Sequence, residues 1–430
     1  MIGQIISQGI EPLKYVERRT AKLSAGVRNL IILTLFIFGF ILLYAEDKVF
    51  LFGTSLSNLW KVALVGMSIL FVATKFHGRV PLFFLITLLV AMSLALNGNL
   101  LFSIDDVEHI MLFLVLPLSY YSFYFYGVNN PKRLKFNLIF LSIFFLVSTI
   151  PFILSWVQPA EGIGVGLASF AESYNLQSNM LIGFFKHPAI SSKVFVLSVA
   201  VIFSLGVMES GISTRNKVGL VMILFLGFYC LYLSFTRTGW LMMTLFFGWY
   251  IFKEKSLSAL KKCIGVIIIL SAFLLLLLYN DAFYSRIFGI REGAVVSASI
   301  ITTLSSGRDI IFFEILGLIF GGDTFTFYFG LGSEMFRELN FGGAAHNVFL
   351  EYFVLGGLVT LALFVFWYFM LYRELSRFSN SNGVSSAIFA LFYVLLVGSL
   401  LSHGFGFYGN ILFGGLIAYH RIVGEKIIRA

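Results

Sequence analysis

Apolar residues in this chain come in blocks rather than at helical or strand spacing. The blocks lie near 29–45, 57–75, 80–97, 107–127, 135–157, 190–208, 217–235, 238–252, 263–280, 347–372, 384–402 and 405–420. A helix needs about 20 mostly apolar residues to cross about 30 Å of hydrocarbon, and these blocks are long enough or nearly so. The pattern predicts an all-α, polytopic membrane protein of about 12 transmembrane helices. A cytoplasmic N-terminal segment over 1–28 precedes a single transmembrane domain over 29–430.

Charge gives the orientation, because Lys and Arg accumulate in cytoplasmic connections. The lead-in carries Lys14, Arg18, Arg19, Lys22 and Arg28. Every second connection after it is basic: Lys75 and Arg79; Lys132, Arg133 and Lys135; Arg215 and Lys217; Lys253, Lys255, Lys261 and Lys262; Arg373 and Arg377. The tail adds Arg421, Lys426 and Arg429, so both termini are expected in the cytoplasm. Orientation leaves Lys48, Lys61, Lys186, Lys193, Arg237, Arg286, Arg291, Arg308 and Arg337 on the outer side without an explanation.

Two outer connections are long, 158–189 and 280–346, the larger one lying between the ninth and tenth spans. Connections of that length are usually functional. Inside the larger one, RDIIFFEILGLIFG over 308–321 is apolar but too short to span. An interfacial or re-entrant helix fits it, with Ser305 or Ser306 near its start as a cap.

Composition narrows the function classes. Hydrophobic residues make up 59% and charged residues 12%, against about 25% charged in a soluble domain. The net charge of +9 is accounted for by membrane orientation and anionic headgroups, and no basic patch interleaved with stacking aromatics points to nucleic acid. Cys230 and Cys263 lie in or beside apolar blocks without metal-ligand spacing. The first block is long enough to span and no small-residue cleavage pattern follows it, so it reads as a retained helix. No phosphate-binding loop, dinucleotide fingerprint or zinc H-E-x-x-H occurs, which disfavours an ATP-driven pump or a metalloprotease.

The candidate chemistry gathers at the outer edge. Arg237 in SFTRTGW stands between two blocks with hardly any connection. It is either a snorkelling arginine that marks the boundary or an anion clamp, whose planar fork suits phosphate oxygens. Arg308 in SSGRD is a second clamp candidate, with Ser and Gly N–H groups at a helix start, or else a solvated charge paired with Asp309. Arg337 and His346 bracket a Gly-containing stretch that runs into the 347–372 block. His346 is either a capping residue or a general base, kept neutral by nearby arginines. Asn347 and Glu351 are candidate supports on one helical face.

Lys186, in FFKHPAI, is either a further anion contact or an anchor of the shorter outer loop. The acidic group Asp105, Asp106, Glu108 and His109 reads either as a metal or acid site or, more simply, as capping and dipole chemistry at a helix start. No metal ligand set and no cofactor is expected.

SFTRTGW, SSGRD and AHNVFLEYFVLGGLVT together resemble the O-antigen ligase and O-antigen polymerase superfamily of bacterial inner-membrane glycosyltransferases. In the last stretch, His346 and Asn347 are followed by nine residues, then Gly357, two residues and Thr360, a spacing similar to the ligase signature. The resemblance covers roughly the C-terminal half of the chain. It implies metal-independent transfer, on the periplasmic face, of an undecaprenyl-diphosphate-linked glycan to an acceptor hydroxyl. Arg237 and Arg308 would hold the diphosphate and His346 would activate the acceptor. Arg337 matches no motif of the family, so its place at the diphosphate is a local inference. The implied partners are the lipid-linked donor, a glycan or lipid A-core acceptor, membrane lipid and a chain-length regulator. The SGR pattern and the Phe-rich composition incline toward the polymerase, and the His-Asn signature keeps the ligase open. A transporter or flippase for lipid-linked sugars is the alternative of a different class.

Overall fold

A computed structural model describes residues 50–51, 54–76, 81–95, 104–154, 181, 188–208, 213–234, 236–253, 267, 308–332, 347–379, 383–401 and 405–429. Expected blocks 29–45 and, apart from Ile267, 263–280 lie outside them. The chain divides after Leu64. In the first unit, β1 (Phe50–Leu51) pairs antiparallel with β2 (Thr54–Ser55), and α1 (Leu56–Lys75) begins there and continues into the second unit.

The second unit is helical. In chain order come α2 (Leu82–Ala95), α3 (Ile104–Gly127), α4 (Pro131–Val147), a short α5 (Ile150–Ile153) and α6 (Pro188–Val201), which continues as a π-helical segment, Ile202–Val207. Then follow α7 (Thr214–Leu233), α8 (Arg237–Lys253), α9 (Arg308–Gly321), α10 (Thr324–Phe329), α11 (Val348–Ser376), α12 (Gly383–Leu401) and α13 (Gly406–Arg429). Among the described residues, six helical stretches are long and apolar enough to cross a membrane: those at 110–127, 131–153, 189–207, 215–233, 348–376 and 383–401. Their outward faces carry Met222, Phe225, Phe136 and Phe369, at 64%, 65%, 66% and 54% exposed. A surface of that kind calls for an apolar surrounding, as in a bilayer. Apart from the β1–β2 ladder, the described fold is all-α.

Glycine sets how closely the helices approach, as expected where helix association relies on packing rather than water expulsion. A Cβ at Gly414 of α13 would stand 2.7 Å from the Leu116 carbonyl oxygen and 2.9 Å from the Tyr120 nitrogen of α3. Asn410 of α13 donates from Nδ2 to the Leu112 carbonyl at 2.9 Å. Aromatic rings fill what remains between α2, α3 and α11: Trp367 lies 5.5 Å from Phe83 and 5.1 Å from Phe113.

The basic residues of alternate connections collect at one end of this bundle. Phe76, beside Lys75, packs 5.2 Å from Tyr121 near the end of α3, and Glu374 near the end of α11 pairs with Arg421 of α13 at 3.0 Å. Trp249 near the end of α8 and Tyr372 near the end of α11 both pack on Phe389 of α12, at 6.3 and 5.7 Å. Lys75, Lys253, Arg373, Arg377, Arg421 and Lys426 therefore share an end. At the opposite end α6 and α13 begin together, a Cβ at Gly406 falling 2.7 Å from Ile190.

The expected single span over 347–372 is instead two helical arms. Gly356 (φ −132°, ψ 15°) and Gly357 (φ 68°, ψ −166°) leave helical geometry, and the chain doubles back there. Phe349 lies 5.0 Å from Tyr368 and Tyr352 stacks 4.2 Å from Phe364; a straight helix would hold Phe349 and Tyr368 roughly 28 Å apart. The second arm, 358–376, alone rises roughly 27 Å, enough for the crossing. The boundaries differ elsewhere too: the 135–157 block ends its helix at Ile153, and α13 continues past the 405–420 block to Arg429.

A second glycine turn locks the first. Gly330 (φ 78°) follows α10, and a Cβ on it would lie 2.6 Å from the Gly356 and Gly357 nitrogens. A Cβ on Gly357 would collide with the Tyr328 carbonyl, and the Leu331 N–H donates to the Val354 carbonyl at 2.7 Å. Ile315 and Ile319 of α9 and Leu331 join Leu350, Phe353 and Val354 of the first arm in a small core of their own. The apolar stretch over 308–321 is therefore a helix that packs on the first arm.

Gly357 holds a conformation that is essentially glycine-only and worth about 1–3 kcal/mol of strain to any other residue. Gly357→Ala should therefore lower the thermal unfolding midpoint of the purified protein clearly. Gly248→Ala, where a Cβ meets nothing within 4 Å, should leave it unchanged or raised. Equal midpoints for Gly357→Ala and wild type would refute the strained turn.

Candidate functional site

Arg237 is the first residue of α8 and is half-buried. The connection before it is short because Ser234 ends α7 and Thr236 starts α8. The Ser234 N–H donates to the Cys230 and Tyr232 carbonyls, its hydroxyl donates to Leu231 at 2.7 Å, and that hydroxyl lies 3.1 Å from the Thr236 hydroxyl. The Trp240 N–H then donates to the Thr236 carbonyl at 3.3 Å. Arg237 is thus fixed at the end of the bundle opposite the basic one, and Ser234, Thr236 and Thr238 beside it in the chain are buried.

Helix α6 closes one side of this position. Gly239 admits it: a Cβ there would stand 2.7 Å from the Ser192 Cβ. Leu181, within the expected 158–189 loop, donates its N–H to the Leu233 carbonyl at 2.9 Å and accepts from the Ser191 hydroxyl at 3.4 Å. Lys186 lies outside the described residues.

Asn347 is the N-cap of the first arm of α11. Its Oδ1 accepts from the Phe349 and Leu350 N–H groups at 3.0 and 3.1 Å, and its carbonyl accepts from the Glu351 N–H at 2.9 Å. The cap, the blander of the two readings of His346, is made by Asn347. Glu351 sits half-buried in the first turn, where a carboxylate suits the helix dipole. Because the arm doubles back, Asn347 stands roughly 12 Å along the arm from the Gly356–Gly357 turn. A straight span would have put it at the lip. His346 and Arg337 lie outside the described residues.

Arg308 opens α9, the helix that packs on this arm, and Ser305 and Ser306 lie outside the described residues. Downstream, Asp323 caps α10 by accepting from the Thr326 N–H at 2.7 Å, a bond that holds its exposed carboxyl below the usual range. Helix α8 and the second arm of α11 are linked through α12: Gly398 faces Met242 of α8, and Ser399 accepts from the Tyr368 hydroxyl at 2.8 Å. The positions spaced after His346 and Asn347 have structural duties: Gly357 makes the turn, and Thr360 donates to Ser93 of α2 at 2.9 Å.

Asp105, Asp106, Glu108 and His109 belong to the first two turns of α3. Among the described residues no group of three or more His, Cys, Asp or Glu is placed to hold a metal ion. Sequence reasoning missed two features. Lys193, noted only as an unexplained outer base, is buried on α6 at 1% exposure. Glu374 and Glu425 were given no role, yet both bind Arg421, the latter at 2.7 Å. The Arg421–Glu425 spacing of four was the available signal.

No protein-family model matches the sequence, and a search of curated proteins finds no match.

Removing the cap should loosen the first arm without unfolding the bundle. Asn347→Ala is expected to cost about 1 kcal/mol locally, which is roughly fivefold faster hydrogen exchange at the Phe349 and Leu350 amides, while Asn347→Asp keeps the cap. Unchanged exchange in Asn347→Ala would remove Asn347 from this role.

Proposed function

We propose that this protein is a glycosyltransferase of the O-antigen polymerase and ligase type, acting on the periplasmic face of a bacterial inner membrane. In this reading the basic end is cytoplasmic, both termini lie there, and the chain crosses about 12 times. The segment 280–346 is then a periplasmic loop between the ninth and tenth spans. The donor is an undecaprenyl-diphosphate-linked glycan. Arg237 and Arg308, with Arg337, hold its diphosphate, while His346 is the general base and Asn347 and Glu351 support it. Lys186 adds a contact from the shorter loop.

The chemistry balances without a metal. His346 takes the proton of the acceptor hydroxyl, whose oxygen attacks the anomeric carbon. The bond from that carbon to the diphosphate oxygen breaks, and undecaprenyl diphosphate leaves with the electron pair. Guanidinium groups at a site with little water stabilise the charge on the leaving group.

The observation that carries this reading is the pairing, on one bundle, of a half-buried Arg237 among hydroxyls with a doubled-back arm that starts at Asn347. Non-helical backbone at membrane depth is tolerated where it is buried in protein or lines a cavity, and a cleft there can admit a polyprenyl tail from the side. Polymerase is preferred over ligase on the SGR pattern and the Phe content. The broken helix itself favours a second reading, transport of a lipid-linked sugar, since such folds also place interrupted helices at their sites.

Purified protein given the lipid-linked donor alone should extend it into a ladder of longer lipid-linked chains. A capped product that forms only with lipid A-core makes it a ligase. Movement of intact donor across a vesicle, with no new glycosidic bond, makes it a transporter and overturns the proposal. Arg237→Ala, Arg308→Ala and His346→Ala should each abolish transfer while the protein still inserts, and full turnover in any one would remove that residue from the mechanism.

A further inference from the structure

Lys193 lies on the most enclosed of the described helices: residues 191–201 of α6 are all buried, and Lys193 is 1% exposed. A long cationic side chain near a membrane normally snorkels to the boundary, and one kept inside a span marks a site by default. Its neighbour Ser192 fixes its level. Because a Cβ on Gly239 would sit 2.7 Å from the Ser192 Cβ, this turn of α6 is level with the turn of α8 that follows Arg237. Both helices begin at the end of the bundle opposite the basic one.

Buried hydroxyls lie on the same turns as the two cations. Ser191, Ser192, Ser234, Thr236 and Thr238 are all buried at this junction. The Ser192 hydroxyl donates back to the Ala189 carbonyl at 3.1 Å, so its oxygen can still accept, and Gly239 of α8 beside it offers no side chain. Two cations of different shape among hydroxyls suit an anion with two charged centres. The guanidinium grips one phosphate through its fork, and the ammonium serves the other as a compact point charge.

We propose that Lys193 and Arg237 form one anion pocket for a diphosphate, with Lys193 the cation that separates a diphosphate from a monophosphate. The inference rests on the diphosphate-donor reading above and adds to it a binding residue from α6. The shared ligand chemistry is a lipid-borne phosphate, which either a polyprenyl diphosphate or an ordinary anionic phospholipid could supply.

Binding without turnover tests it. The full chain, purified in zwitterionic nanodiscs, is titrated with undecaprenyl diphosphate, with undecaprenyl monophosphate and with phosphatidylglycerol. Wild type should prefer the diphosphate, and Lys193→Met should lower the ratio of diphosphate to monophosphate affinity by about tenfold, the loss of one charge-assisted contact. A merely structural lysine would weaken both ligands alike and leave that ratio unchanged, which overturns the proposal. If Lys193→Met fails to fold, Lys193→Arg is read instead: a shift of more than about threefold in the ratio supports contact with the phosphate and no shift refutes it. Loss of diphosphate binding in Arg237→Ala but not in Lys193→Met defeats this inference alone. A wild type that binds no diphosphate defeats the donor reading as well, and equal preference for phosphatidylglycerol assigns the pocket to bulk lipid and overturns it.

Discussion

The contact on which the C-terminal half depends is one glycine turn pressed against another. Gly330 and the Gly356–Gly357 pair meet backbone to backbone, at a separation that admits no Cβ on either side. One hydrogen bond, from Leu331 to the Val354 carbonyl, uses an acceptor at the helix break. That contact allows the first arm of α11 to lie against the second and gives α9 an apolar face to cover. The position of Asn347, and of whatever chemistry adjoins it, follows from the turn.

At the other end, a knot of polar side chains joins helices distant in sequence. Arg421 of α13 donates to Glu374 of α11, to Glu425 one turn on and to the Tyr120 hydroxyl of α3, and its guanidinium lies 4.7 Å from the Tyr124 ring centre. Tyr120 donates in turn to Glu374, and Tyr124 to Glu425 at 3.1 Å. Charges placed partly out of water are tolerable when every partner is engaged, so such a network specifies which helices pair more than it adds stability. Nearby, His420 is buried with Nε2 donating to the Leu375 carbonyl at 2.8 Å, a further tie between α11 and α13.

Much of this fold was legible in hydropathy alone. The 384–402 block became α12 at Gly383–Leu401, and 217–235 became α7 at Thr214–Leu233, because unbroken apolar runs admit few other structures at that length. The doubled-back arm was not legible. Hydropathy carries no direction, both arms are equally apolar, and only the Gly-Gly pair marks where the chain reverses. Arg237 could be placed at a helix start from SFTRTGW, since the connection is too short for anything else. The burial of Lys193 could not, because it depends on α6 being enclosed on every face, which hydropathy does not show. The cap at Asn347 was available from residue type, as Asn is among the best N-caps, but the more reactive neighbour His346 drew the assignment.

The π-helical segment Ile202–Val207 gives α6 a property that no uninterrupted helix has. One extra residue within such a helix rotates everything beyond it by about 100° relative to the part before. Upstream, the helix presents Ile190 and Ser192 to α13 and α8; within the segment itself, Gly206 receives Leu220 of α7 and Phe203 packs 5.0 Å from Tyr250 of α8. Ser192 and Phe203 thus share the stripe that faces α8, and the wider turn sets in only where the Phe203 carbonyl accepts from the Met208 N–H at 3.0 Å, so the helix changes phase at its last turn.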